Sequence, residues 1–240
     1  MITLIISAYN EEKYIGSCLD HALANTKGVV DEIIVVDNSS TDNTNKIVSQ
    51  YAIENPNLRV VVERKKWLTM ARQKWYLASK GDIIAYADAD THIDLWWASR
   101  IQETFEKNPT AWFISWPYSY YDALWYEKAV NWFYRRMFAY PSFLLAGYLG
   151  VWWNFAIKKS VLEAIHWFDT SIQFYWEDTD IARRAALYSK AIFDLNLVMP
   201  TSARRFTGQG RTKTVYIYII NFFSQVVQHK STTEDYKDFR

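Results

Sequence analysis

Four apolar segments of strand length begin near residues 2, 32, 58 and 83, and their spacing constrains the fold more than any other feature of the chain. The intervals of 30, 26 and 25 residues are the length of a strand–helix–strand unit. Between the first two segments Ile15, Cys18, Leu19, Ala22 and Leu23 recur at helical spacing. Ser39-Ser40-Thr41-Asp42 offers a cap for a second helix carrying Ile47, Val48 and Tyr51, and a third helix is read over 69–79. Strands alternating with helices predict an α/β chain with a mostly parallel central sheet covered on both faces. In such sheets ligands bind beyond the carboxyl ends of the strands.

After residue 95 the rhythm loosens. The pattern predicts a helix over 95–107, a strand over 111–116, an aromatic helix around 127–138, a strand over 154–158, and helices over 160–165 and 179–188. No Pro/Gly/Ser-rich linker divides the chain, so it reads as one compact domain with a polar tail at 231–240. The opening Met1-Ile2-Thr3-Leu4-Ile5-Ile6 has no basic leader and reads as a core strand rather than a signal peptide.

Residues 137–157 form 21 positions without a formal charge, between Arg135-Arg136 and Lys158-Lys159. The length would suit a membrane span. Pro141, Gly147, Gly150 and Asn154 argue instead for a buried or membrane-surface segment, and an amphipathic helix is read over 215–227. Lys and Arg number 27 against 26 Asp and Glu, a balance that speaks against nucleic acid as a partner. The single cysteine, Cys18, excludes an intrachain disulfide and fits a reducing, cytoplasmic compartment.

Chemistry concentrates at the strand ends. The first strand leads into Ala8-Tyr9-Asn10-Glu11, with neither the glycine fingerprint of a dinucleotide fold nor a phosphate-cradling P-loop. The second ends at Asp37, which suits either a nucleoside contact or an Asx-turn opening the next helix. The fourth ends in Asp88-Ala89-Asp90. In an extended segment i and i+2 share a face, so both carboxylates point together beyond the sheet edge, where they repel unless a hard divalent cation sits with them. A calcium EF-hand loop is excluded, because its sixth position would be Ile93 and its twelfth Ser99. Glu177-Asp178 precedes a helix, where acids favour the dipole and where one could also serve as a general base. Arg204, Arg205, Arg211 and Lys213 place four cations within ten residues, suited to phosphate or to anionic lipid.

Taken in order, S-A-Y-N-E-E, V-V-D-N-S-S-T-D-N-T, G-D-I-I-A-Y-A-D-A-D, N-F-A-I-K-K-S-V-L-E-A-I and F-D-T-S-I-Q-F-Y-W-E-D-T-D resemble a family 2 glycosyltransferase of the GT-A fold. The resemblance runs from residue 2 to about 210. It implies an inverting, hexosyltransferase-type enzyme over 1–230, with a nucleotide-sugar half at 1–110 and an acceptor-side half at 111–230. The donor would be a nucleotide-diphosphate sugar such as a UDP- or GDP-sugar. The acceptor would be a glycan or lipid-linked hydroxyl, in polysaccharide, glycolipid or glycoprotein synthesis, reached through a peripheral contact at the inner face of a membrane.

Residue by residue, the resemblance puts Ala8, Tyr9, Asn10, Glu11 and Asp37 at the nucleoside. Arg72 falls in the basic position of a donor-side motif that usually carries Asn where Gln73 stands. Asp88 and Asp90 match the D-x-D that holds Mg²⁺ or Mn²⁺, Asp90 on the metal and Asp88 on the ribose or sugar as well. Asp178, next to Glu177, matches the catalytic base. Two other readings compete: a nucleotidyltransferase, which would ordinarily want a Gly-rich basic loop after the first strand, and a catalytically inactive membrane-surface protein of the same fold. The second is raised by Trp67, Trp75, Trp116, Trp152, Trp153, Trp167 and Trp176, which stand where relatives commonly carry glycine. Those tryptophans account for much of a composition with 7 glycines against 12 tryptophans in 240 residues.

Overall fold

The computed structural model describes residues 1–63, 76, 78–149, 154–166, 177–188 and 190–204, with 177–179 described as backbone only. Its framework is the one the spacing predicts. Strands β1 (Ile2–Ala8), β2 (Glu32–Asp37), β3 (Leu58–Val62) and β4 (Ile83–Asp88) run parallel in the order β3-β2-β1-β4. Helices α1 (Ile15–Asn25) and α2 (Thr44–Glu54) connect the first three. The sheet continues past β4 with β7 (Phe155–Lys158), β5 (Ala111–Ser115) and β8 (Lys190–Phe193). β7 is antiparallel to both neighbours, so the sheet is mixed on this side.

Alternation along the strands builds two cores. Leu4, Ile6, Ile33, Val35, Ala85 and Ala87 face one side, against α1, α2 and helix α3 (Trp97–Lys107). Ile5, Ile34, Val36, Ile84 and Tyr86 face the other, against helix α6 (Lys159–Ala164) through Leu162 and helix α7 (Glu177–Ala186) through Ile181, Ala182 and Ala185. Nearly continuous burial of β1 and β2 follows from this double cover. Trp116 is fully buried, edge-on to Trp97 at 5.6 Å, and so is a core residue.

Glu32 stitches the edge of this framework. Its buried carboxylate accepts from Thr3 Oγ1, the Lys80 N–H and Arg59 Nε, each at 3.0 Å. Burial alone would raise its pKa, but these donors together hold it below the usual range. Gly81 donates to Thr3 Oγ1 at 3.0 Å, and a Cβ there would lie 2.7 Å from the Thr3 backbone nitrogen. Gly81→Ala is therefore expected to destabilise the chain by about 1–3 kcal/mol through overpacking against backbone. Urea unfolding of the variant checks this, and an unchanged midpoint would contradict it.

The aromatic helix differs from its sequence reading. Helix α4 (Trp125–Tyr134) gives way to a π-helical turn (Arg135–Ala139) and then to α5 (Tyr140–Ala146). Pro141 has no N–H to give and its ring excludes the carbonyl four residues back, so the regular ladder cannot pass through it. The π turn absorbs the mismatch. Gly147, at φ 76°, ends α5 in the left-handed region. The uncharged run 137–157 is thus broken into several elements. Among the described residues no helix is long and apolar enough to cross a membrane.

Three strands were absent from the sequence reading: β8, and the three-residue β6 (Tyr118–Tyr120) and β9 (Met199–Thr201), which pair in parallel as a separate two-stranded sheet. The helix expected over 69–79 falls mainly outside the described residues. So do Arg72, Arg205, Arg211, Lys213, the segment 215–227, the tail and six of the seven singled-out tryptophans.

Candidate active site

The strand order brings the predicted positions together. β1 lies between β2 and β4, with Ala8 opposite Asp37 and Ser7 opposite Asp88. The loops after these three strands therefore share one edge of the sheet.

The loop after β1 is tied to the loop after β2. The Asn10 N–H donates to Ser40 Oγ at 2.9 Å, Asn10 Oδ1 accepts from the Thr41 N–H at 2.8 Å, and the Glu11 N–H donates to Thr44 Oγ1 at 2.7 Å. Asn10 and Ser39 both adopt positive φ, 54° and 62°, a conformation that a non-glycine residue holds only when its surroundings enforce it. Asp37 is buried and forms the Asx arrangement: Oδ1 accepts from the Ser40 N–H and Oδ2 from Asn45 Nδ2, each at 2.9 Å. Its carboxylate thus shapes the loop after β2.

Asp88 and Asp90 stand at the end of β4, but the chain does not stay extended between them. Asp88 O accepts from Thr91 Oγ1 at 2.7 Å and from the Thr91 N–H at 3.3 Å, closing a turn. The two carboxylates are consequently held by different partners. Asp88 accepts from Ser7 Oγ at 3.4 Å and from the Tyr118 phenol at 3.0 Å. Burial, followed by the Asp88 charge, pushes the Tyr118 pKa far up, so that phenol stays a donor. Asp90, nearly buried, accepts from Thr201 Oγ1 at 3.1 Å and lies 3.0 Å from Arg204 Nε.

Arg204 is the hub. Its Nη2 donates to Glu11 Oε1 at 2.6 Å while Nε faces Asp90, and its guanidinium lies 4.5 Å over the Tyr14 ring. Burial opposes its charge, but Glu11 and Asp90 outweigh that and raise its pKa. Asp122 fixes the backbone that carries it, accepting from Ser202 Oγ and the Ala203 N–H, both at 2.6 Å. Arg204→Met would leave two carboxylates uncompensated and is expected to cost roughly 2–3 kcal/mol. That lies below the range for fully enclosed pairs, because the side chain keeps 20% of its exposure. Arg204→Lys should recover part of the loss; equal stability of Arg204→Met and the parent in urea would contradict the assignment.

Sequence reasoning missed Tyr118, Thr201, Ser202 and Asp122. Three-residue strands carry no periodicity to find, and only the β6–β9 pairing brings these residues to the D-x-D. His92 is another: it is stacked between His21 at 4.5 Å and Tyr121 at 4.0 Å, packing the turn after Asp90. Cys18 lies under the same turn. Burial pushes its pKa to about 12, so it acts as a small packed thiol.

Two oxygen donors fit a hard divalent cation that completes its shell with phosphate oxygens and water. The guanidinium on Asp90 already places positive charge against this carboxylate. Among the described residues no group of three or more His, Cys, Asp or Glu converges as a closed metal site. Glu177 and Asp178 lie within α7 rather than preceding it.

Comparison with known proteins agrees with this architecture. The chain is 29% identical over 108 residues to an uncharacterized glycosyltransferase, EpsJ, of Bacillus subtilis, covering 45% of this chain and 31% of that protein. It is 37% identical over 102 residues to a dolichyl-phosphate beta-glucosyltransferase, ALG5C, of Trichomonas vaginalis, covering 38% and 30%. The matches thus span about a third of these relatives' lengths. Among solved structures, a mannosyltransferase from Pyrobaculum calidifontis in complex with GDP-Man and Mn²⁺ superposes with a TM-score of 0.70 at 19% identity, over 98% of this chain and 65% of that one. Staphylococcus aureus TarS 1–349 in complex with UDP-GlcNAc gives 0.67 at 14% identity, over 97% and 68%. These likenesses establish the GT-A fold. The model of glycosyl transferase family 2 matches residues 3–194, from the first strand past the D-x-D to the end of the main sheet, and the chain belongs to that family.

Proposed function

We propose that the protein transfers a sugar from a nucleotide-diphosphate donor to an acceptor hydroxyl, with inversion and with the help of a divalent metal. The observation that carries this reading is the Glu11–Arg204–Asp90 cluster at the strand edge that also carries Asp88 and the Asn10 and Asp37 loops. The nucleotide sugars and Mn²⁺ held by structural neighbours support it.

In this reading the loops of Ala8–Glu11 and Asp37 hold the nucleoside, with the donor half at 1–110 and the acceptor half at 111–230. Asp90, with Asp88, would hold Mg²⁺ or Mn²⁺, which when bound offsets the charge gathering on the departing diphosphate. Arg204 supplies a fixed cation to the same leaving group, already oriented by Glu11 and Asp122; Arg72 and Arg205 are assigned alongside it. Asp178 removes the acceptor proton from the face opposite the leaving group, as inversion requires, and Glu177 flanks it. The acceptor is a glycan or lipid-linked hydroxyl at the inner face of a membrane.

The test is thermal stabilisation by a panel of UDP- and GDP-sugars with Mn²⁺, then with chelator, followed by a donor-hydrolysis assay. Metal-dependent stabilisation by one donor supports the reading, and stabilisation by none overturns it. Release of pyrophosphate from a nucleoside triphosphate supplied with a sugar 1-phosphate, with no nucleoside diphosphate released from the nucleotide sugars, would favour the nucleotidyltransferase.

A further inference from the structure

The segment 124–145 carries eleven of the 18 large apolar side chains that are exposed among the described residues, so its apolar surface is a continuous feature and not scatter. Neither α4 nor α5 buries a single residue. Trp125, Trp132, Phe133, Met137, Phe138 and Leu145 are all more than half exposed, Leu145 at 91%. The rings pack on one another, Phe138 lying 6.3 Å from Phe133 and 6.0 Å from Tyr134. The segment is held to the body by Asn131 Nδ2, which donates to the Tyr118 carbonyl at 2.9 Å, by Lys128 Nζ, which donates to the Tyr121 carbonyl at 3.3 Å, and by Ala139, Tyr140 and Phe143, which pack around Phe193.

Charge identifies the occupant. From Lys128 to Leu162 the chain contains no Asp or Glu, yet it contains Lys128, Arg135, Arg136, Lys158 and Lys159. Lys128, Arg135 and Arg136 make no ion pair with a described residue. Arg135 Nη1 is buried without a hydrogen-bond partner, and Arg136 lies 5.2 Å over the Trp132 ring. The nearby Glu127 is engaged at the cap of α4, accepting from the Leu124 N–H at 2.8 Å. A second copy of the face would set cations against cations. Exposed Trp, Tyr and Phe beside acid-free cations match the headgroup region of an anionic bilayer.

We propose that the 124–145 face docks on an anionic lipid bilayer and lies in its interface without spanning it. The surface joins the site through one residue: Asn131 holds the Tyr118 backbone, and the Tyr118 phenol donates to Asp88. The proposal rests on no part of the transfer chemistry, although it places the D-x-D beside a membrane where a lipid-linked acceptor would be presented.

The full chain is tested by flotation with phosphatidylcholine vesicles, with and without phosphatidylglycerol, at low and high salt. Binding is expected only with the anionic lipid and should fall several-fold as salt rises. Lys128→Gln with Arg136→Gln should weaken partitioning by about 30-fold at low salt. Phe133→Ser with Leu145→Ser should abolish it. Both pairs alter exposed positions, so melting temperature and nucleotide binding with Mn²⁺ should match the parent; flotation without nucleotide binding would sink the transferase reading and leave this one standing. No flotation, equal flotation on neutral lipid, or a light-scattering dimer that the same substitutions dissociate would overturn the proposal.

Discussion

Asp90→Asn is expected to abolish turnover and to erase the difference between nucleotide binding in Mn²⁺ and in chelator. The amide keeps the size of the side chain and an oxygen for Thr201, but it removes the charge that would face a cation. It also takes away one of the two carboxylates around Arg204, so a modest fall in melting temperature should accompany the loss. Calorimetry with a nucleoside diphosphate separates the two effects. A folded variant that still binds nucleotide more tightly with Mn²⁺ than without contradicts the metal assignment, as does parental activity that survives excess chelator.

Asp178→Asn should leave nucleotide affinity within a few-fold of the parent while turnover falls by roughly 10²–10⁴. The logic is that a base acts on the acceptor and touches no part of the donor. The pair lies within α7, so a role in stability has to be separated from one in catalysis. Glu177→Gln supplies the control. If it loses as much turnover as Asp178→Asn, the base is not assigned to one residue; if Asp178→Asn keeps its turnover, the assignment is wrong.

The parts legible in the sequence are those governed by local period. β1 to β4 were readable because each is a short apolar run followed by a helical stripe such as Ile15, Cys18, Leu19 and Ala22. Asp37 and Asp88 were readable because they end such runs. The antiparallel placement of β7 was not, since nothing in Phe155-Ala156-Ile157-Lys158 records the direction of a neighbour. β6 and β9 were missed for a related reason: at three residues each they have no period, and their partnership is a tertiary fact. The i, i+2 argument for Asp88 and Asp90 failed because it assumed extended backbone where Thr91 closes a turn. The pairing of Arg204 with Glu11 and Asp90 was likewise beyond any local pattern, although Arg204 itself stood out by its charge.

The Glu11–Arg204 pair joins residues 193 positions apart, and that separation has a kinetic meaning. Closing so long a loop gains nothing until the intervening sheet is in place, so this contact belongs among the late events of folding. The same geometry sets the order of local opening. Residues 199–201 are held by a short strand pair, a bridge to Thr91 and the burial of Met199, and 202–203 by Asp122, a smaller anchorage than the main sheet. When that strap opens, Glu11 and Asp90 lose their shared cation in one step and Met199 leaves the first core, while the second core is untouched. Hydrogen exchange should therefore find the amide of Ala203 opening before those of β1, which would tie the proposed donor site to the integrity of this strap and not to global stability.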